Sequence, residues 1–120
     1  MSARCGIYRN AGDLEKQLAE VRSLRDRYHK VRVGDQSHRC NTELIEALEL
    51  GHMLDYSVTI VAGALERKEC RGAHWRKDNP GRNDTEWLKH TFSWLDTKGN
   101  VRLAYRPVTI THFQPEERKY

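Results

Sequence analysis

"NTELIEALELGHMLDYSVTIVAGALERK", Asn41 to Lys68, reads two ways in its second half, and the choice decides the fold. Leu44, Leu48, Leu54, Val58, Val61 and Leu65 recur at helical spacing, whereas the β-branched cluster "VTIVAG" argues locally for a strand. The stripe runs in phase from Leu44 through that cluster, so the spacing predicts one helix reaching about Lys68. Asn41 suits its N-cap, and Glu43 in the first turn faces the positive end of the helix dipole. From Asp55 onward the stretch is apolar nearly all round, which predicts burial on more than one side and an apolar patch wherever a covering element is missing. Gly51 and Gly63 are read as points of close helix packing.

Upstream, Leu14, Leu18, Val21, Leu24, Tyr28 and Val31 form a second amphipathic stripe. Asp13 is the expected N-cap, after the turn-forming Asn10-Ala11-Gly12, and Gly34 with the polar run behind it ends the pattern. Downstream of Pro80 and Gly81 the period changes. Asn83 or Asp84 can start a short helical turn through Trp87 and Leu88, and "HTFSWLDTKGNVRLAYRPVTI", His90 to Ile110, then alternates. Phe92 and Trp94 share one face of a first strand, Val101, Leu103 and Tyr105 share one face of a second, and Lys98-Gly99-Asn100 supplies the turn of a β-hairpin, with Pro107 marking its end or an edge.

A chain of 120 residues is one domain with one modest core, too small for a cofactor-binding domain plus a substrate domain. Charged residues make up 32% and hydrophobic ones 38%, and acids interleave with bases throughout, so the formal charge of +4 forms no dedicated grip for a polyanion. Cys5, Cys40 and Cys70 are odd in number and widely spaced, which predicts free thiols in a reducing compartment. No apolar run approaches the ~20 residues that cross a bilayer, so no direct membrane insertion is expected.

Ionisable groups concentrate in "ERKECRGAHWRKDNPGRND", Glu66 to Asp84. No GxGxxG or P-loop accompanies it, so the usual cradle for a nucleotide phosphate is missing and no cofactor-binding residue is assigned. Cys40, His52, Cys70, His74 and His90 match no structural zinc spacing, and no metal ligand is assigned. Cys70 and His74 could form a nucleophile–base pair only if a helix continued through Gly72, a poor helix former; no catalytic residue is assigned. Arg71, Trp75, Arg76, Lys77 and Arg82 could meet nucleic acid, but Asp78, Asp84 and Glu86 interrupt that stripe. Arginines beside aspartates are better read as bidentate pairs that fix an irregular segment or dock it on a partner. Trp75 and Trp87 fit either an interface or a satellite core.

The stretch Ala64 to Thr91 resembles a pattern near the end of the flavoprotein subunits of succinate dehydrogenase and fumarate reductase, a family that also includes L-aspartate oxidase. That pattern reads R-K-E-S-R-G-A-H-x-R-x-D-x-P-x-R-D-D-x-x-W-x-K-H-T, and it is matched by Arg67, Lys68, Glu69, Arg71, Gly72, Ala73, His74, Arg76, Asp78, Pro80, Arg82, Asp84, Trp87, Lys89, His90 and Thr91. "CGIYRN", "LAYRPVTI" and the closing "ERKY" extend the resemblance over essentially all 120 residues. Cys70 stands where the family has Ser and Asn83 where it has Asp, the latter weakening one expected Arg–Asp pair.

The resemblance implies a mainly α fold, a three-helix, spectrin-repeat-like up-and-down bundle over 1–70, followed over 71–120 by an irregular link, a short helix, the β-hairpin and a tail. It implies a C-terminal domain of a parent that interconverts succinate and fumarate with FAD and passes electrons to an iron–sulfur subunit. The family's flavin and substrate residues lie upstream of the matched region, so the domain itself is expected to be structural and inert. Arg71, His74, Trp75, Arg76, Asp78, Arg82, Asp84, Trp87 and His90 are the expected interdomain docking residues. Expected partners are the parent's FAD-binding and capping domains, an iron–sulfur subunit or an assembly factor, and a second copy of the isolated domain. Nucleic acid is not expected, and the place is cytoplasmic, or peripheral on the cytoplasmic or matrix face of a membrane. The alternative is a stand-alone helical protein-interaction module.

Overall fold

A computed structural model describes residues 1–116. Its frame is a pair of long helices joined by one connection, α2 (Ala11–Tyr28) and α3 (Thr42–Glu66), which make the most extensive helix contact. The helical reading of "VTIVAG" holds, and α3 ends two residues before the expected Lys68. Mainly α with an appended hairpin is the observed class. The bundle has two long helices and the four-residue α1 (Ser2–Cys5) packed on α2, rather than three long helices.

Both long helices start on asparagine caps. The Asn41 side chain accepts the Leu44 N–H at 2.8 Å. The first cap is Asn10 and not Asp13: Asn10 Oδ1 accepts the Asp13 N–H at 2.9 Å, and Asn10 Nδ2 donates to the Asp13 carboxylate at 2.5 Å. Asn10 wins because its extended backbone precedes the helix, while Asp13 already lies in the first turn. Glu43 accepts the Gly34 and Asp35 N–H groups at 3.0 and 2.8 Å, tying the connection between the helices to the start of α3.

The core is small. Cys5, Leu14, Val61 and Ala64 are buried together, with Leu18 and Leu65 packed against them. Gly51 permits close packing as expected, since a Cβ there would meet the Tyr28 ring at 2.6 Å; Gly63 does not, because nothing lies within 4 Å of its Cβ position. An apolar patch is present on α3, but mostly ahead of the stretch expected to carry it: Ile45, Leu48, Met53 and Tyr56 are more than half exposed, whereas Val58, Val61 and Ala64 are buried.

Strands β1 (Tyr8–Arg9) and β2 (Trp75–Arg76) pair in parallel, Tyr8 opposite Trp75 and Arg9 opposite Arg76, binding the start of the chain to the link. The sequence carried no signal for this two-residue pairing. Helix α4 (Asp84–Trp87) begins on the Asn83 cap, and β3 (Lys89–Leu95) pairs antiparallel with β4 (Val101–Pro107), Phe92 opposite Ala104. Asp96 accepts the Asn100 N–H at 2.8 Å, and Gly99 takes the positive φ of 83° that the turn requires. The closing "ERKY" lies outside the described residues.

Candidate functional site

The charged stretch folds around one carboxylate. Glu69 has no exposed side-chain surface; Arg71 reaches it from Nε and Nη2 at 2.8 and 3.0 Å, the Asn83 N–H at 3.0 Å, and Arg67 Nη1 by a short bond. Burial alone would push the Glu69 carboxyl up, but hydrogen bonds from Arg71, the Asn83 backbone and Arg67 outweigh it, and its pKa lies below the ordinary value. Arg67 also donates to Trp87 O at 3.1 Å, Lys89 O at 2.7 Å and Thr91 Oγ1 at 3.2 Å, so the end of α3, α4 and β3 meet at one guanidinium. Asp84 accepts from Arg71 at 2.6 Å and from Arg82 at 2.8 and 2.9 Å. The Arg82 and Arg71 bonds hold its carboxyl well below the usual range. Asn83 removes no pair: Asp84 serves Arg82, and Asn83 Oδ1 instead accepts the Glu86 N–H at 3.0 Å to cap α4.

A second node closes the carboxyl end of α3. A helix leaves its last carbonyls without intrahelical donors. Arg76, 1% exposed, supplies Nη1 to Ala64 O, Leu65 O and Arg67 O at 3.1, 2.9 and 3.1 Å. Its Nε and Nη2 pair bidentately with Asp78 at 2.8 Å each. Asp78 in turn accepts the Ala11 N–H at 3.0 Å, one of the free donors at the positive end of α2. One Arg–Asp pair thus joins the end of one long helix to the start of the other.

His74 lies between these nodes, with Nδ1 2.7 Å from Arg9 Nη1 and Nε2 3.0 Å from Arg67 O. A guanidinium can only donate, so Nδ1 accepts and Nε2–H donates to the carbonyl, which requires a neutral ring. Burial and the charges of Arg9, Arg76 and Arg67 lower its pKa, against the Arg67 carbonyl bond that raises it.

The Cys70–His74 pair of the nucleophile reading is not assembled. The backbone between them is a tight turn, Arg71 N to His74 O at 2.9 Å and His74 N to Arg71 O at 3.0 Å, with Gly72 at φ 57°. Cys70 Sγ accepts the Arg76 N–H at 3.2 Å instead. Among the described residues no group of three or more His, Cys, Asp or Glu could hold a metal, and no helix is long and apolar enough to cross a membrane.

Of the expected docking residues, Arg71, His74, Arg76, Asp78, Arg82 and Asp84 belong to this network, and Arg76 is turned wholly inward. Trp87 is buried, with Lys89 Nζ 4.5 Å and the Arg67 guanidinium 5.2 Å from its ring centre and Tyr105 edge-on at 5.9 Å. Trp75 is 49% exposed beside Tyr8, and His90 is exposed on the outer face of the hairpin. Reading by residue type passed over Glu69, Arg67 and Arg9 as site residues; Arg67 and Glu69 were available in the matched pattern, whereas Arg9 enters only through the β1–β2 pairing.

A family model described as the fumarate reductase flavoprotein C-terminus matches residues 1–120. The chain belongs to this family. It is 42% identical over 120 residues to the fumarate reductase flavoprotein subunit of Haemophilus influenzae, covering 100% of this chain and 20% of that protein. It is 40% identical over 116 residues to the succinate dehydrogenase flavoprotein subunit of Rickettsia bellii, covering 97% of this chain and 20% of that one. The fold also matches the FrdA chain of Escherichia coli quinol fumarate reductase, with a TM-score of 0.93 at 38% identity, over 98% of this chain and 20% of that chain. The chain therefore spans about one fifth of the length of the relatives it matches. In this chain the spaced charged pattern builds the nodes at Glu69 and Arg76.

Proposed function

We propose that this chain is the C-terminal structural domain of a flavoprotein that interconverts succinate and fumarate with FAD and passes the electrons to an iron–sulfur subunit. The observation that carries the proposal is the family match over residues 1–120, at identities near 40%, to subunits named for those two reactions. The domain's own part is to shape and present a docking surface, and it is catalytically inert. Its charged groups are engaged internally: Arg67 and Arg71 by Glu69, Arg76 by Asp78 and the α3 carbonyls, Arg82 by Asp84. Guanidinium groups held this way do not fit a flavin diphosphate, so no step of flavin chemistry is assigned to them.

Docking to the FAD-binding and capping domains of the parent would use two surfaces. The link offers Trp75 and the outer parts of Arg71, Arg82 and Asp84, while Arg76, Asp78, His74 and Trp87 hold its shape. The exposed apolar residues of α3 offer the second, and an uncovered patch of this kind favours self-association when the domain is alone. The parent would lie in the cytoplasm or peripherally on the cytoplasmic or matrix face of a membrane, with an iron–sulfur subunit or assembly factor as further partner.

The test is direct. The purified 120-residue chain is mixed with FAD and assayed for flavin retention and for dye-linked succinate oxidation and fumarate reduction. Neither is expected; retention of stoichiometric flavin, or turnover, would show that the chain is more than a structural domain.

A further inference from the structure

The outward face of the β-hairpin is a candidate interface distinct from the link and from α3. Strand alternation and the register put His90, Phe92 and Trp94 of β3 on one face with Arg106, Ala104 and Arg102 of β4, each directly opposite in that order. The other face carries Thr91, which receives Arg67, and Tyr105, which packs on Trp87, so it is the inner one. All six residues of the outer face are exposed.

That face is organised without being buried. Phe92 and Trp94 are stacked, with ring centres 6.1 Å apart and planes 25° apart, and His90 lies 6.5 Å from Phe92. The Arg102 guanidinium sits 4.6 Å from the centre of the Trp94 ring. The face contains no acid, and among the described residues neither Arg102 nor Arg106 has a carboxylate partner. In the link, by contrast, every described arginine of the network meets a carboxylate. Exposed Trp and Arg beside a second aromatic ring match the composition of interface hot spots, which gain from burial and from a partner of opposite charge.

We propose that the outer face of the β3–β4 hairpin binds a second protein through an acidic, amphipathic segment, with Phe92 and Trp94 as apolar anchors and Arg102 and Arg106 pairing its carboxylates. Such a segment supplies leucine-like side chains to the ring pair and carboxylates to the rim on either side. A single-stranded nucleic acid would need open ring faces for its bases. Phe92 and Trp94 spend part of their ring faces on each other and on Arg102 while staying 43% and 45% exposed, which favours apolar side chains over stacked bases.

The experiment uses the 120-residue chain, isotope-labelled, titrated with a synthetic helical peptide whose leucines recur at helical spacing flanked by glutamates. Expected are amide shifts concentrated at Phe92, Trp94, Arg102 and Ala104, weakening as salt rises. Arg102→Glu with Arg106→Glu should lower the affinity about tenfold or more, while Arg102→Lys with Arg106→Lys, which keeps the charge, should lose less. Parallel titrations use oligothymidylate, phosphatidylglycerol vesicles and the unlabelled chain. The proposal is overturned if shifts fall elsewhere, if charge reversal leaves the affinity unchanged, or if any of those three probes moves the same resonances more strongly than the peptide.

Discussion

Glu69 shows how a single carboxylate can organise a link that has little apolar material of its own. Its removal would leave Arg67 and Arg71 partly buried beside unfilled space. Breaking a buried pair by deleting one partner typically costs about 3–5 kcal/mol. Glu69→Ala should therefore lower unfolding free energy by about that amount in urea titration, and Cys70→Ser should stay within about 1 kcal/mol because a hydroxyl can still accept the Arg76 N–H. His74 gives a pH signature. Its folded pKa lies below the ordinary value of about 6.5, so between the two the unfolded chain binds more protons and stability rises with pH. Stability should be full above about pH 6.5 and fall as pH drops below it. His74→Gln should flatten that dependence; an unchanged slope would show that the ring does not titrate in contact with Arg9. At this scale the sequence was legible only in kind. Arg beside Asp announced pairing, but residue types could not reveal that Arg76 folds inward to three carbonyls, because those acceptors are backbone groups at the end of α3 that the turn between Arg71 and His74 brings beside it.

Elements were more legible where periodicity was long. The stripes of α2 and α3 each span several turns, so six in-phase apolar residues outweighed the β-branched cluster at Val58 to Val61, and the hairpin declared itself by alternation and Lys98-Gly99-Asn100. Two features were not legible for physical reasons. The β1–β2 pairing has two residues per strand, below any period, and exists because the link is held beside Tyr8 and Arg9. The first cap fell to Asn10 because a turn residue and an N-cap are interchangeable until backbone angles are known. Both helices depend on few core contacts, so Leu14→Ala, fully buried, should cost about 2–5 kcal/mol by chemical denaturation. Asn10→Ala should cost about 1 kcal/mol, by loss of the cap. A Leu14→Ala loss well under the Asn10→Ala loss would place the core elsewhere than between α1, α2 and α3.

The whole molecule is elongated, 57 × 33 × 30 Å, and leaves much of α3 apolar and uncovered. A domain that evolved to be covered would behave so when alone; sedimentation of the isolated chain should show association that grows with concentration, and replacing Ile45, Leu48 and Met53 by Ser should reduce it without unfolding the helices. Composition bounded this outcome, since so polar a chain has little apolar area for its own core, and the all-round apolar second half of α3 announced a patch; the structure places it mainly nearer the start of the helix, from Ile45 to Tyr56. The central claim is that such a face belongs to a longer flavoprotein. The most direct measurement is an immunoblot of source-cell protein with antibody against this chain, read beside flavin fluorescence of the same band. A band about five times the 14.1 kDa of this chain, carrying flavin, is expected from the one-fifth share of its relatives; a single flavin-free band near 14.1 kDa would contradict it.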